Sequence, residues 1–248
     1  MRVVLISDTH GLHDKMKHPI PKGNLLLHSG DCTNVGKEKE IIEFVEWFKN
    51  IEGFDYKIFI AGNHDFGFEH YNGVRNNNVD PWLHNLLNKE KLSQFNVTYL
   101  FDSELIINSP DFSRPIKIYG SPWQPRFYDW AFNLDRSGHE LEEKWKNIPD
   151  DTDILITHGP PHGIRDFVSK WGGLDNVGCE LLRNRLDNMN ITLNVFGHIH
   201  GGYGESYVKN TTFVNASICT EKYNPFNKPI IVDLFEINNE IIATIINE

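Results

Sequence analysis

Short apolar runs recur along the chain at residues 3–6, 25–27, 58–60, 154–156 and 191–196, the last interrupted by Thr192 and Asn194, each ending in polar or glycine-bearing residues. Runs of this length without polar alternation read as interior strands covered on both faces. Between them the period changes. From Glu38 to Asn50 the apolar residues Ile41, Phe44, Val45 and Phe48 follow i, i+3, i+4, i+7 spacing, while Glu40, Glu43 and Lys49 mostly face water. That stripe predicts an amphipathic helix. Further helices are expected over 80–90, with Asp80 as cap and Pro81 in the first turn, over 138–147 and over 176–188. Residues 71–78 and 123–132 read as long loops, and 204–246 is strand-rich. Alternating strands and helices early, with more sheet late, indicate an α/β fold. There is no internal repeat and no Pro/Gly/Ser linker, so one domain over 1–248 is expected.

Composition narrows the function classes. A chain of 248 residues with 40% hydrophobic and 12% aromatic residues can bury a large core and is not a disordered protein. The 34 acidic against 24 basic residues give a formal charge of −10. With no basic aromatic tract, this balance argues against a long nucleic-acid partner. A small anionic substrate stays compatible if bound metals reverse the local sign. Cys32, Cys179 and Cys219 are odd in number and scattered, which suits a reducing compartment rather than a disulfide framework. No run reaches the length of a signal h-region or a membrane span, so a cytoplasmic protein with no membrane partner is expected. Nothing in the pattern sets an oligomeric state.

Candidate chemistry lies where the apolar runs stop. They end in Asp8-Thr9-His10, Gly30-Asp31-Cys32, Gly62-Asn63-His64-Asp65, Thr157-His158-Gly159-Pro160 and Gly197-His198-Ile199-His200. In a mostly parallel sheet the carboxyl ends share one edge, where ligands bind. Alone, each ending reads as an ordinary turn carboxylate or surface histidine. Five together, bearing Asp, His and Asn donors, read as a site for manganese, iron, zinc, nickel or cobalt. Alternate residues in Asp8-x-His10 and His198-x-His200 would reach one cluster if the backbone remains extended there.

These ordered motifs, from residue 8 to 200, resemble those of the calcineurin-like metallophosphoesterases. Ser7-Asp8-Thr9-His10-Gly11, Gly120-Ser121-Pro122-Trp123, Thr157-His158-Gly159-Pro160-Pro161 and Asn215-Ala216-Ser217 are most similar to the branch that hydrolyses cyclic nucleotides and related phosphodiesters. The resemblance implies a four-layer αββα sandwich, two mixed β-sheets flanked by helices. It implies that Asp8, His10, Asp31 and His200 hold one divalent ion and Asp31, Asn63, His158 and His198 a second. Asp31 would bridge the pair, with manganese expected first. A hydroxide between the ions would attack phosphorus in line. His64 would face the leaving group, and Asp65 would orient its loop.

The loop Gly30-Asp31-Cys32-Thr33-Asn34 departs from the phosphoprotein-phosphatase branch, which carries a further Asp-Arg-Gly run. The function expected is therefore a metal-dependent phosphodiesterase acting on a small phosphodiester or nucleotide. A phosphomonoesterase or nuclease of the same metal class is one alternative; an inactive regulatory binding protein is another. Substrate contacts are expected from Asn63, His64, Trp123, Arg126 and Asn215. The aromatic stretch around Trp123 would stack on a base or pin its loop, and Arg126 would meet phosphate. Arg165, Asp166, Cys219 and the turn 223–227 are further lining candidates by resemblance. His28 is a candidate support behind the site, and Cys32 is expected to pack rather than ligate.

Overall fold

The computed structural model describes residues 1–74, 81–170 and 173–246. The chain first lays down β1 (Arg2–Ile6), β2 (Leu25–Ser29), α1 (Glu38–Asn50), β3 (Tyr56–Ile60), three short helices α2 (Phe66–Tyr71), α3 (Pro81–Leu86) and α4 (Lys89–Ser93), and β4 (Val97–Tyr99). The middle adds β5 (Ser103–Ile107), β6 (Ile116–Ser121), the two-residue strands β7 (Gln124–Pro125) and β8 (Asn133–Leu134), α5 (His139–Lys146), β9 (Ile154–Thr157), the hairpin β10 (Phe167–Lys170) and β11 (Gly173–Asn176), α6 (Glu180–Leu186) and β12 (Leu193–Phe196). It closes with β13 (Gly204–Val208), β14 (Thr211–Asn215), β15 (Ile230–Ile237) and β16 (Glu240–Ile246).

Two six-stranded mixed sheets result, ordered β16-β15-β1-β2-β3-β4 and β13-β14-β12-β9-β6-β5. In the first, β1 to β4 run parallel and β15 and β16 are antiparallel additions. In the second, β14, β12, β9 and β6 are parallel, flanked by antiparallel β13 and β5. The two-residue period of a strand explains the unbroken apolar runs. Val3 and Leu5 of β1 join Ile58, Ile60, Ile154, Ile156 and Val195 in the core between the sheets. Val4 and Ile6 point the other way, with Leu26 and Phe59, onto Ile41, Phe44, Val45 and Phe48 of α1. On the far side Leu155 and Phe196 share a buried cluster with Leu141 and Trp145 of α5 and Leu182 and Leu186 of α6. The result is the expected αββα sandwich.

α1 keeps the bounds its periodicity predicts. Its amino end is held by Glu40 Oε2, which accepts from the Lys37 and Val35 amides at 3.0 and 3.2 Å. At its other end Lys57 Nζ donates to the carbonyls of Lys49 and Ile51, closing groups the helix leaves open.

Three expectations need correction. The helix over 176–188 starts only at Glu180, because 173–176 pair with 167–170 and Cys179 forms the cap. The helix over 80–90 divides into α3 and α4: Asn88 leaves the helical region and its side chain accepts from the Lys91 amide, opening a new helix. The proposed Asp80 cap, and 75–78 of the loop 71–78, lie outside the described residues, while Tyr71 itself ends α2. The stretch 123–132 is closed at its base by β7–β8 pairing. No helix among the described residues is long and apolar enough to cross a membrane.

Candidate metal centre

The five motif loops follow β1, β2 and β3 of one sheet and β9 and β12 of the other. The site thus sits at an edge shared by two sheets. A bridge between Ser7 and Ser217 ties the sheets together there, and the Ile218 amide donates to the Ser7 carbonyl at 2.8 Å.

The backbone at this edge is not extended. Asp8, His10, Asp31 and His198 have φ of 52°, 45°, 52° and 65°. The alternation argument for Asp8-x-His10 and His198-x-His200 therefore fails; left-handed turns, not strand pleat, aim these side chains. Such a conformation costs a non-glycine residue about 1–3 kcal/mol and persists where its surroundings enforce it. Here the Asp8, His10 and Gly11 amides donate to the carbonyls of Gly30, Asp31 and Cys32 at 2.9–3.0 Å, zipping two loops together. Two glycines make room for the carboxylates. A Cβ on Gly62 would collide with Asp31 Oδ1, and one on Gly197 with Asp8 Oδ2.

Seven side chains converge in two adjoining clusters. In the first, His200 Nε2 lies 3.1 Å from His10 Nε2 and 3.3 Å from Asp8 Oδ1. In the second, His158 Nε2 lies 2.9 Å from Asn63 Oδ1 and 3.3 Å from Asp31 Oδ1, and His198 shares this group. Asp31 lies between them, grouping with His158 and His198 on one side and with His10 and His64 on the other. Its Oδ1 faces His158, and its Oδ2 lies 3.8 Å from His10 Nε2 and 4.0 Å from His64 Nε2. Donor atoms lie within 4.8 Å of one another in each of three groups: Asp8, His10 and His200; His10, Asp31 and His64; and Asp31, His158 and His198.

The surroundings select which nitrogen each ring presents. His158 Nδ1 donates to the Ser29 carbonyl and His200 Nδ1 to the Thr220 carbonyl, both at 3.0 Å, so each turns Nε2 inward. Asp8 accepts from the His198 amide at 3.0 Å and lies 2.9 Å from Ser217 Oγ. These buried, mutually facing carboxylate, amide-oxygen and imidazole groups suit divalent cations. Thiolate is absent from the set: the Cys32 sulfur packs against His28 Nδ1 and the Ile60 carbonyl at 3.6 Å, and burial pushes its thiol well up.

Charge in the cluster is strongly divided. Burial raises the Asp8 and Asp31 carboxyls, but His200 for Asp8 and His158 for Asp31 outweigh it and hold both below the ordinary range. Burial pushes His10 down to about 4 and His198 to about 3. His158, despite burial, is raised to about 9 by Asp31, and His200 is raised by its hydrogen bond to Asp8. In each cluster one imidazole, His158 or His200, is thus drawn toward its charged form by the carboxylate beside it.

His64 follows Asn63, yet it is placed differently. Its Nδ1 donates to the Asn34 carbonyl at 2.6 Å, and its ring stacks on Trp130 at 4.2 Å and meets His10 edge-on at 4.6 Å. Asp65 is a buried tie. It accepts from the Gly62, Cys32 and Thr33 amides at 2.8–3.1 Å and from Thr33 Oγ1 at 2.6 Å, joining the loops that carry Asp31 and Asn63. Burial and the charge of Asp31 raise its carboxyl to about 6. His28 supports from behind: Nε2 donates to Thr9 Oγ1 at 3.0 Å while Nδ1 accepts from the Gly30 amide at 3.3 Å.

A cleft of about 650 Å³ opens over the clusters, lined in part by Asp31, Asn63, His64, Arg126, Trp130, Arg136, His198, His200 and Tyr223. Of the predicted substrate contacts, Asn63, His64 and Arg126 line it. Trp123 does not: it is buried in the core, donating from Nε1 to Asp102 Oδ2 at 2.8 Å beneath Lys144. Asn215 is also buried, its Nδ2 donating to the carbonyls of Ile199 and Gly197, so it shapes the loop bearing His198 and His200. Arg165 and Asp166 likewise bind backbone: Arg165 Nε donates to the Glu205 carbonyl, and Asp166 accepts from the Gly163 and Gly178 amides. Cys219 is buried. From the turn 223–227, Tyr223 reaches the cleft. Arg136 and Thr220 carry no motif of their own and emerge only from the packing, whereas Trp130 ends the aromatic stretch that begins at Trp123.

The chain matches the model of the calcineurin-like phosphoesterase family over residues 1–202. It is 43% identical over 242 residues to metallophosphoesterase domain-containing protein 1 of Homo sapiens, spanning 94% of this chain and 71% of that protein. It is 36% identical to a UPF0046 protein of Caenorhabditis elegans, across 94% of this chain and 81% of that one. A solved structure of a Staphylococcus aureus protein provisionally assigned as a 5'-nucleotidase aligns with TM-score 0.55 at 13% identity, covering 98% of this chain and 52% of that one, a likeness of fold alone.

Proposed function

This chain belongs to the calcineurin-like phosphoesterase family, and on that footing we propose that it is a phosphodiesterase for small phosphodiesters, cyclic nucleotides among them, working with two divalent cations. The observation that carries this is the division of Asp31, with one oxygen toward His158 and the other toward His10. Two adjoining His/Asp clusters with a shared carboxylate form the donor arrangement of a binuclear hydrolase.

Asp8, His10, Asp31 and His200 would hold one ion, and Asp31, Asn63, His158 and His198 the other. Manganese suits the mixture of hard oxygen and imidazole donors, and iron, zinc, nickel or cobalt fit the same set. Such a pair supplies, when bound, an acidified water as nucleophile and positive charge for the phosphoryl oxygens. His64 acts on the leaving side. Its Nδ1 is engaged by Asn34 and its ring is held by Trp130, so Nε2 is the atom left to serve the leaving oxygen. In the imidazolium form, Nε2 donates a proton to that oxygen as the ester bond opens.

The cleft walls favour a diester over a monoester. Pro125, Phe127, Pro160, Val168 and Val177 offer apolar surface for a second alcohol group. Of the two lining arginines, Arg136 spends its guanidinium on the Val177 and Gly178 carbonyls and on Glu180. Arg126 uses Nε for Asp135. Arg136 is thus committed to protein groups, and the Nη groups of Arg126 are left to meet one phosphoryl oxygen.

The test is turnover of bis-p-nitrophenyl phosphate against p-nitrophenyl phosphate and both 2',3'- and 3',5'-cyclic nucleotides, with manganese, nickel, cobalt and zinc added after chelation. A large diester preference is expected. Efficient cleavage of monoesters alone overturns the diester assignment, and two bound ions with no cleavage of any ester overturn the enzymatic one.

A further inference from the structure

Resting on the phosphoester reading, we infer that the Tyr223 hydroxyl donates a hydrogen bond to a phosphoryl oxygen of the bound substrate. Tyr223 stands over the first cluster from the cleft side. Its ring centroid lies 4.8 Å from that of His10, 5.1 Å from that of His200 and 6.3 Å from that of His64, edge-on to the first two. No other aromatic residue contacts these three imidazoles together among the described residues.

The turn that carries Tyr223 is built around the group that orients His200. The Thr220 carbonyl accepts both His200 Nδ1, at 3.0 Å, and the Tyr223 amide, at 2.8 Å. Tyr223 itself has φ of 56°, a left-handed conformation that a bulky residue adopts only where its surroundings impose it. One carbonyl thus fixes a candidate ligand and the tyrosine beside it.

The hydroxyl is uncommitted. Tyr223 lines the cleft and is half-exposed, and its oxygen has no hydrogen-bond partner among the described residues. A phenol is a neutral donor at physiological pH. Next to a cluster that gathers the anionic ester, it can bind an oxygen without adding charge. His64, on the adjoining side of the same cluster, is left to meet the leaving oxygen.

The experiment compares wild type, Tyr223→Phe and Tyr223→Leu, all loaded with manganese, by calorimetric titration with inorganic phosphate and by metal content. Loss of a neutral donor to a charged oxyanion should weaken phosphate binding by roughly tenfold to a hundredfold in Tyr223→Phe. Manganese content should stay at the wild-type value, and Tyr223→Leu should be no tighter than Tyr223→Phe. Wild-type affinity in Tyr223→Phe overturns the inference, whether or not Tyr223→Leu is impaired, because the ring alone would then matter. Diester turnover by the wild type is read in parallel. A wild type that binds phosphate tightly and loses this in Tyr223→Phe, yet cleaves no ester, supports the tyrosine assignment and overturns the enzymatic reading. A wild type that cleaves the diester with unchanged phosphate binding in Tyr223→Phe does the reverse.

Discussion

Asp31 and His64 lie within 4.0 Å of each other but separate into different duties, so substitutions should fail in different ways. Asp31→Ala removes the carboxylate that stands between the two clusters, and both ions should weaken together. His64→Ala leaves the seven proposed donors in place; two ions should remain, while turnover falls by about 10²–10⁴ and most for esters with poor leaving groups. Metal analysis paired with a series of aryl diesters checks both. Asp31→Ala with two tightly held ions overturns the bridging role; His64→Ala with undiminished turnover overturns the leaving-group role. The residues proposed as donors were legible in the sequence as strand-end motifs. The substrate contacts were less so, because the stretch 123–130 places Trp123 and Trp130 seven residues apart with nothing to rank them. Trp123 turns inward because Asp102, far along the chain, accepts its indole N–H; Trp130 turns onto His64.

At the level of loops and helices, Asp65 ties together the turns that carry Asp31 and Asn63. Each of its oxygens receives buried donors, Oδ1 from Thr33 and Oδ2 from Cys32 and Gly62. Asp65→Asn keeps the shape but leaves one oxygen to serve both sides, with an NH₂ group facing donors on the other. A penalty of about 2 kcal/mol or more follows, which for a chain of this size lowers Tm by roughly 4–8 °C. Metal affinity should fall with it, since the Asp31 and Asn63 loops would drift apart. Thermal melts with calorimetric metal titration measure both, and a variant matching wild type in both would show the tie to be dispensable. Periodicity located α1 to the residue because its apolar stripe lies against a single sheet face. It overran α6, because the pairing of 173–176 with 167–170 is a long-range choice that outweighs local helix preference.

For the molecule as a whole, the crowd of buried ionisable groups makes stability depend on pH in a way that the cations should change. Burial depresses His10 to about 4 and His28 and His198 to about 3, so below the ordinary histidine value of 6.5 the unfolded chain binds protons the folded chain refuses, and stability is lost as pH falls. The depressed Asp8 and Asp31 act in the same direction at lower pH. His158 has the opposite sign: raised to about 9, it contributes stability that is full below 6.5 and lost as pH rises through 9. Chelator-treated protein should therefore be most stable near pH 6.5 and weaken on both sides. Added manganese should stabilise it most on the alkaline side, where ligands surrender protons readily. Denaturant unfolding from pH 5 to 10, with chelator or with manganese, decides this. A chelated protein whose stability climbs steadily to pH 9 would contradict the assigned charge of His158.

The order of apolar runs, the helix over Glu38–Asn50 and the Asp, His and Asn residues that gather at five strand ends were legible in the sequence alone, because burial on both faces demands particular residue types at particular places. Which sheet each strand joins, the left-handed turns at Asp8, His10, Asp31 and His198, the inward burial of Trp123 and Asn215 and the position of Tyr223 were decided only in three dimensions. The reason is physical: these features are set by hydrogen bonds and packing between segments far apart in the chain, such as Thr220 with His200 and Ser217 with Asp8, and no local pattern encodes such pairings.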